Sequence, residues 1–297
     1  MQAVPAAVRI TLSNILFATD FSEVSRAALP YAKHLAQWYG GKVFVTHVMP
    51  PYEPYLSVPL EPVPVDLDLL WKREQQSMAE FVYAGSLGDV PHEEILQRGE
   101  LWHTISDVIQ RNKIDVVVVG THGHRGLKKA VLGSAAEKIY RHAQCPVLTV
   151  GPEVHGCCNA NWELKHIVFA TDFSETSLQA LPYALSLAEE NQAILTFLHV
   201  LSLVPADQDR DALKRHTRER LEKLMPPEPW CNPEFLVGFD FPAHGILRVA
   251  RDRDADLIVM GVKRPTGIAF TLHLPWSTAA EVVNGAPCPV LTVRGWN

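Results

Sequence analysis

A chain of 297 residues with 47% hydrophobic and 20% charged residues has room for two compact domains, each able to bury a core without disulfides or metals. Its net charge of −6 supplies no basic footprint for a nucleic-acid backbone, so DNA and RNA binding are set aside. Five cysteines are an odd and sparse set that reads as reduced thiols, and no apolar run approaches the ~18 residues of a membrane span.

Residues 1–13 carry only Arg9 as a basic residue and lack the layout of a secretory signal, so a cytosolic, non-membrane protein is expected. Short β-rich apolar runs then alternate with longer stretches of helical spacing. Strands are predicted at 14–19, 42–48, 93–98, 115–120 and 146–150. The unbroken apolar character of Val116 to Val119 suits a strand buried on both faces, as in a parallel sheet covered by helices. Ser22 is placed to cap the first helix and Ser174 its later counterpart, and Pro30 and Pro182 fall inside these two helices, which they are expected to kink. The Pro-rich stretch 50–64 reads as an extended surface loop, with a lid or packing arm as the other reading.

The chain then repeats itself. ILFATDFSEVSRAALPYAKHLA, beginning at Ile15, is answered 152 residues later by IVFATDFSETSLQALPYALSLA, beginning at Ile167. The echo continues in His47-Val48 and His199-Val200, in the strands ending at Gly120 and Gly261, and in Cys145-Pro146-Val147-Leu148-Thr149-Val150 and Cys288-Pro289-Val290-Leu291-Thr292-Val293. Residues 151–161, rich in Gly, Pro, Asn and Cys, read as a linker. The expected domains are therefore 9–152 and 162–297. Each is an α/β unit, a doubly wound parallel five-stranded sheet. His155-Gly156-Cys157-Cys158 lacks metal-ligand spacing and is read as linker rather than as a metal or redox site.

In such a sheet, ligands bind beyond the carboxyl ends of the strands. Two segments converge there in the first copy: Ala18-Thr19-Asp20, and the loop from Gly120 through His122, Gly123, Arg125 and Gly126 to Gly133 and Ser134. The glycines permit close backbone approach, and Ser134, read as the N-cap of the next helix, puts a helix N-terminus at an anionic ligand.

The spacing Gly-x2-Gly-x9-Gly-Ser, together with Ala18-Thr19-Asp20-Phe21-Ser22, His47-Val48, the strand ending at Gly120 and Cys145-Pro146-Val147, resembles the ATP-binding branch of the universal stress protein family, over nearly the whole chain as two tandem copies. The resemblance implies an adenine nucleotide alpha hydrolase-like fold with the strand order 3-2-1-4-5, and ATP, ADP or AMP as ligand, with or without Mg²⁺. It implies that Gly123, Gly133 and Ser134 hold phosphates, that Ala135 donates its backbone N–H, and that Ala18, Asp20 and Val48 flank adenine and ribose. Thr19, Val119 and Gly120 line the same cleft, and His122, His124 and Arg125 add polar or positive contacts. Asp20 has a second reading as a cap before the first helix, because Asp172 repeats it. His47 and His199 are read as hydrogen-bonded core histidines and excluded from catalysis.

The second copy departs from the pattern: Arg264 stands for Gly123, Ser277 for Gly133 and Thr278 for Ser134, and Pro265 removes a backbone donor. It reads as a degenerate site, or as one where Lys263, Arg264 and Thr278 bind a different anion. No Walker-type phosphate loop, nucleophile elbow or zinc-protease motif is present, so enzymatic activity is at most slow ATP hydrolysis. The preferred function is a nucleotide-responsive regulatory protein; a ligand-free chaperone-like dimer is the alternative. The resemblance also implies an intrachain pseudo-dimer joined through the final strands, with self-association between chains and an unidentified protein partner as further expectations.

Overall fold

The computed structural model describes residues 9–51, 66–85, 87–121, 133–154, 162–202, 209–226, 233–263 and 278–295. Residues 52–64 of the Pro-rich stretch, the linker cysteines and most of both glycine-position loops, with His122, Gly123, His124, Arg125, Arg264 and Ser277, lie outside the described residues.

The first half runs β1 (Asn14–Ala18), α1 (Glu23–Tyr39), β2 (Lys42–Met49), α2 (Leu67–Gly85), β3 (His92–Arg98), α3 (Leu101–Arg111), β4 (Val116–Gly120), α4 (Ser134–His142) and β5 (Val147–Val150). The second runs β6 (His166–Ala170), α5 (Glu175–Leu178), α6 (Leu181–Asn191), β7 (Ile194–Leu201), α7 (Arg210–Glu222), β8 (Pro233–Phe239), α8 (Pro242–Asp252), β9 (Leu257–Val262), α9 (Thr278–Gly285) and β10 (Val290–Arg294). The five strands of each half sit in the expected order, and the halves join into one ten-stranded sheet, β3-β2-β1-β4-β5-β10-β9-β6-β7-β8. Every pairing is parallel except β5 with β10.

Alternation along the strands builds two cores. Ile15, Phe17, Val43, Val45, Val116 and Val118 face a layer formed by α1, α2, α6 and α7. Leu16, Ala18, Phe44, Val117 and Val119 face α3, α4, α8 and α9. Side chains on both faces are buried, which is why these strands are continuously apolar. Both cores draw residues from both halves.

Two devices fuse the halves about a pseudo-two-fold axis. At the seam Leu148 stands opposite Leu291, and the buried hydroxyls of Thr149 and Thr292 donate to the carbonyls of Val290 and Val147 at 3.1 and 3.2 Å. The segments preceding β1 and β6 also cross to the other half's first long helix. The Ile10 N–H donates to Ser186 Oγ at 3.1 Å, and the equivalent Trp162 N–H donates to His34 Nε2 at 3.2 Å.

Ser22 caps α1 as expected, accepting from the Ser25 N–H, and Ser174 caps α5 through Ser177. Two expectations are corrected. Pro182 does not lie inside a helix equivalent to α1: the helix breaks after Leu178 and restarts with Pro182 in its first turn, where a missing N–H costs nothing. Ser134 is the first helical residue of α4, and Gly133, which has no side chain to cap with, is the N-cap.

Candidate functional site

Ladder register brings Ala18, Thr46 and Val119 side by side across β1, β2 and β4. The residues that follow them, Thr19-Asp20, His47-Val48 and Gly120-Thr121, therefore share the carboxyl edge. Thr121 continues the ladder by donating its N–H to Val150 O at 2.9 Å, and its own carbonyl accepts the Gly133 N–H at 2.6 Å, which ties the start of α4 to the end of β4. The structure thus places Ala18, Thr19, Asp20, Val48, Val119 and Gly120 along one edge and links Gly133, Ser134 and Ala135 to it. Ser134 and Ala135 are exposed, and among the described residues no side chain caps the first turn of α4. Uncapped N–H groups and the positive end of the helix dipole favour an anion there.

Gly120 has a packing reason to be glycine, because a Cβ would lie 3.0 Å from Val24 O in the first turn of α1. Its role is to let the helix start close to the sheet, besides lining the edge.

The β1–α1 connection is a compact set of hydrogen bonds. Thr19 Oγ1 accepts the Phe21 N–H at 2.9 Å and lies 2.9 Å from Ser25 Oγ. Ser25 donates its single hydroxyl proton to Ser22 O at 2.9 Å, so Thr19 is the donor between the two hydroxyls. Asp20 Oδ1 accepts the Ser22 N–H at 3.0 Å, so the capping reading of Asp20 holds for that oxygen. His47 Nδ1 lies 2.8 Å from Thr19 O, its Nε2 is 3.5 Å from Glu74 Oε2 on α2, and its ring stacks on Phe21 at 4.3 Å. The reading of His47 and His199 as hydrogen-bonded structural histidines is carried by these contacts and by His199 Nδ1 at 2.7 Å from Thr171 O.

The second half repeats the connection but changes its surroundings. Lys263 Nζ lies 3.6 Å from Asp172 Oδ2, and the Arg220 guanidinium covers the Phe173 ring at 3.9 Å, where the first half packs Phe81 against Phe21 at 5.7 Å. Burial pushes the His199 imidazole below its ordinary value, with Arg220 adding to it, and this outweighs the Thr171 carbonyl and Asp172. For Asp172, burial acts upward, but the hydrogen bonds of Ser174 and Ser177 and the Lys263 charge outweigh it and draw the carboxyl from 3.8 to about 2.

Because the folded value lies below the ordinary one, Asp172 stabilises the fold above about pH 4, and that contribution is lost as pH falls towards 2. Solvent screening keeps the effect small at this half-exposed pair. Asp172→Asn is expected to flatten the acid limb of the stability curve between about pH 4 and 2 without moving the neutral plateau by more than ~1 kcal/mol. An acid limb identical to wild type contradicts the assignment.

Cys145 and Cys288 are pushed up to about 12 by burial, which makes them poor nucleophiles. Among the described residues no group of three His, Cys, Asp or Glu is placed to hold a metal ion, and no helix is long and apolar enough to cross a membrane.

Sequence reasoning missed the parts of the connection that depend on backbone conformation. Phe21 and Phe173 both sit at φ 62°, in the left-handed region that a side chain with a Cβ rarely adopts. Their recurrence at the same place in both copies was the available signal. Arg220 carried none, because the two copies do not align by sequence through α2 and α7.

Fold and edge together define a class: tandem doubly wound α/β units with strand order 3-2-1-4-5, joined antiparallel through their last strands. A family model described as the universal stress protein family matches residues 11–151 and again 163–294, and the chain belongs to that family. A universal stress protein of Methanocaldococcus jannaschii is 33% identical over 139 residues, covering 46% of this chain and 81% of that protein. One of Mycolicibacterium smegmatis is 25% identical over 299 residues, covering 95% of this chain and 97% of its own. The crystal structure of an Archaeoglobus fulgidus universal stress protein shares the fold over 96% of this chain and 99% of its own, with a TM-score of 0.68 at 20% identity.

Proposed function

We propose that the first half binds one adenine nucleotide, ATP or a close relative, and that the chain acts as a nucleotide-responsive stress-response protein whose second half binds none. The observation that carries this reading is the tie between the end of β4 and the start of α4, where Thr121 O accepts the Gly133 N–H at 2.6 Å on the carboxyl edge that Asp20 and Val48 share. In the first half the Gly-x2-Gly-x9-Gly-Ser spacing spans this segment, whereas in the second Arg264 and Ser277 replace two of its glycines. The uncapped start of α4 supports a phosphate near Gly133, Ser134 and Ala135, with Asp20 offering a carboxylate oxygen to sugar hydroxyls and Ala18, Val48 and Val119 an apolar wall. Magnesium would reach the site with the phosphates; what this chain contributes is backbone N–H groups and the Asp20 carboxylate.

Calorimetric titration of Mg²⁺-ATP is expected to give one site per chain in wild type. Gly123→Arg, which places the second copy's residue in the first, is expected to weaken binding by about a hundredfold or more, since a long side chain would fill the space a phosphate needs. Two sites per chain, or a Gly123→Arg variant that binds like wild type, would contradict the reading.

A further inference from the structure

We propose that Arg294, on the last strand of the second half, is a positioning residue for the nucleotide of the first half, because it holds the far end of α4, the helix at whose start the phosphates lie in the reading above. The proposal rests on that reading and goes further by naming a side chain of the other half that sets the geometry of the site. α4 has nine residues and buries two side chains, Ala136 and Ile139, so little of its own sequence fixes where it lies. A surface pair, Lys138 with Glu100 at 3.0 Å, adds little. At its start the Gly133 N–H is held by Thr121 O at 2.6 Å, and at its end Arg294 Nη2 donates to Tyr140 O at 2.7 Å from the other half of the chain. Tyr140 lies in the last turn, where the carbonyls carry the negative end of the helix dipole, so a guanidinium there is a charge-assisted cap. Arg294 is buried, at 8% exposure, and its charge is felt by the last residue of α4: burial first and Arg294 next draw the His142 imidazole below its ordinary value.

The pseudo-two-fold axis supplies an internal control. Gly151 follows Val150 as Arg294 follows Val293, and Val283 in α9 answers Tyr140 in α4. A Cβ placed on Gly151 would lie 3.4 Å from Val283 O, so the first half brings its backbone to the matching carbonyl across the seam but has no side chain there to bind it. The last turn of α9 is held from its own half, by Arg251 Nη2 donating to Gly285 O at 2.9 Å. The grip at this pair of positions therefore runs one way: a side chain of the second half holds the helix that serves the first half's site. Releasing Arg294 should affect nucleotide binding, and releasing Arg251 should not.

Variants of the full chain separate positioning from stability, each read by thermal melting and by Mg²⁺-ATP calorimetry. Arg294→Met keeps much of the bulk but removes the charge and the donors, and is expected to weaken ATP about tenfold. Arg294→Lys restores a cationic donor and is expected to recover most of this, to about threefold weaker than wild type. Thr292→Val, two residues away on the same strand, removes the seam bond to Val147 O and is expected to lower the melting temperature while leaving ATP affinity within about twofold. Arg251→Met, which releases the last turn of α9, is likewise expected to leave ATP affinity within about twofold. Wild-type ATP affinity in Arg294→Met, or an equal loss in Thr292→Val or Arg251→Met, overturns the proposal while leaving the nucleotide site standing. If Arg294→Met does not fold, wild-type affinity in Arg294→Lys overturns it. A wild type that binds no ATP removes both claims together.

Discussion

Trp162→Ala is expected to destabilise the chain by about 3 to 5 kcal/mol, the range for deleting a buried tryptophan. Trp162 is 6% exposed and belongs to the second half by sequence, but its ring lies against the first: Tyr31 meets it edge-on at 4.8 Å and Trp38 at 5.0 Å. Its backbone N–H, which the substitution keeps, donates to His34 Nε2, and its Nε1–H donates to Asp256 O at 3.3 Å in the second half. The His34 contact completes a chain, because His34 Nδ1 lies 2.7 Å from Pro30 O, the carbonyl one turn earlier on α1. Removing the indole therefore opens a cavity at the junction, loses two aromatic contacts and leaves the Asp256 carbonyl short of a donor. Urea denaturation measures the loss, and a change below about 1 kcal/mol would mean that the crossover segment does not bind the halves together.

Gly261→Ala is expected to cost about 3 kcal/mol, the upper end of overpacking, by the same denaturation assay. A Cβ at Gly261 would stand 2.2 Å from Thr176 O and 2.5 Å from Ser177 Cα, so the α5 backbone must move. The equivalent Gly120→Ala should be milder, about 1 to 2 kcal/mol, because its nearest atom is Val24 O at 3.0 Å. A larger loss at Gly120 than at Gly261 would contradict this packing. The gap between the two has a visible origin: α5 is a four-residue turn set close to the sheet, and the chain restarts as α6 ahead of Pro182, whereas α1 runs unbroken through Pro30.

These glycines show how much was legible in the sequence. The repeat disclosed the two α/β units, because a parallel sheet buried on both faces demands runs such as Val116 to Val119, and few other folds do, while the strand order followed from the family resemblance. The pairing of the last strands followed from the family resemblance, and the seam is found at Leu148 and Leu291. The crossover of Ile10 and Trp162 was not legible, because a single tryptophan after a linker has no periodicity to reveal its partner. At the site, Asp20 and the glycine spacing could be read, since they are residue types with narrow physical uses. The left-handed Phe21, the imidazole beneath it and the Arg220–Phe173 contact could not, because they arise from backbone conformation and from helices whose sequences differ between the copies.

The most direct test of the account is a crystal structure of the chain grown with Mg²⁺ and a non-hydrolysable ATP analogue. The account predicts one nucleotide per chain, with its phosphates at Gly133, Ser134 and Ala135 and its sugar at Asp20, and with Lys263 still on Asp172. Nucleotide in the second half with the Lys263–Asp172 pair broken, or an empty first half in a crystal saturated with the analogue, would contradict it.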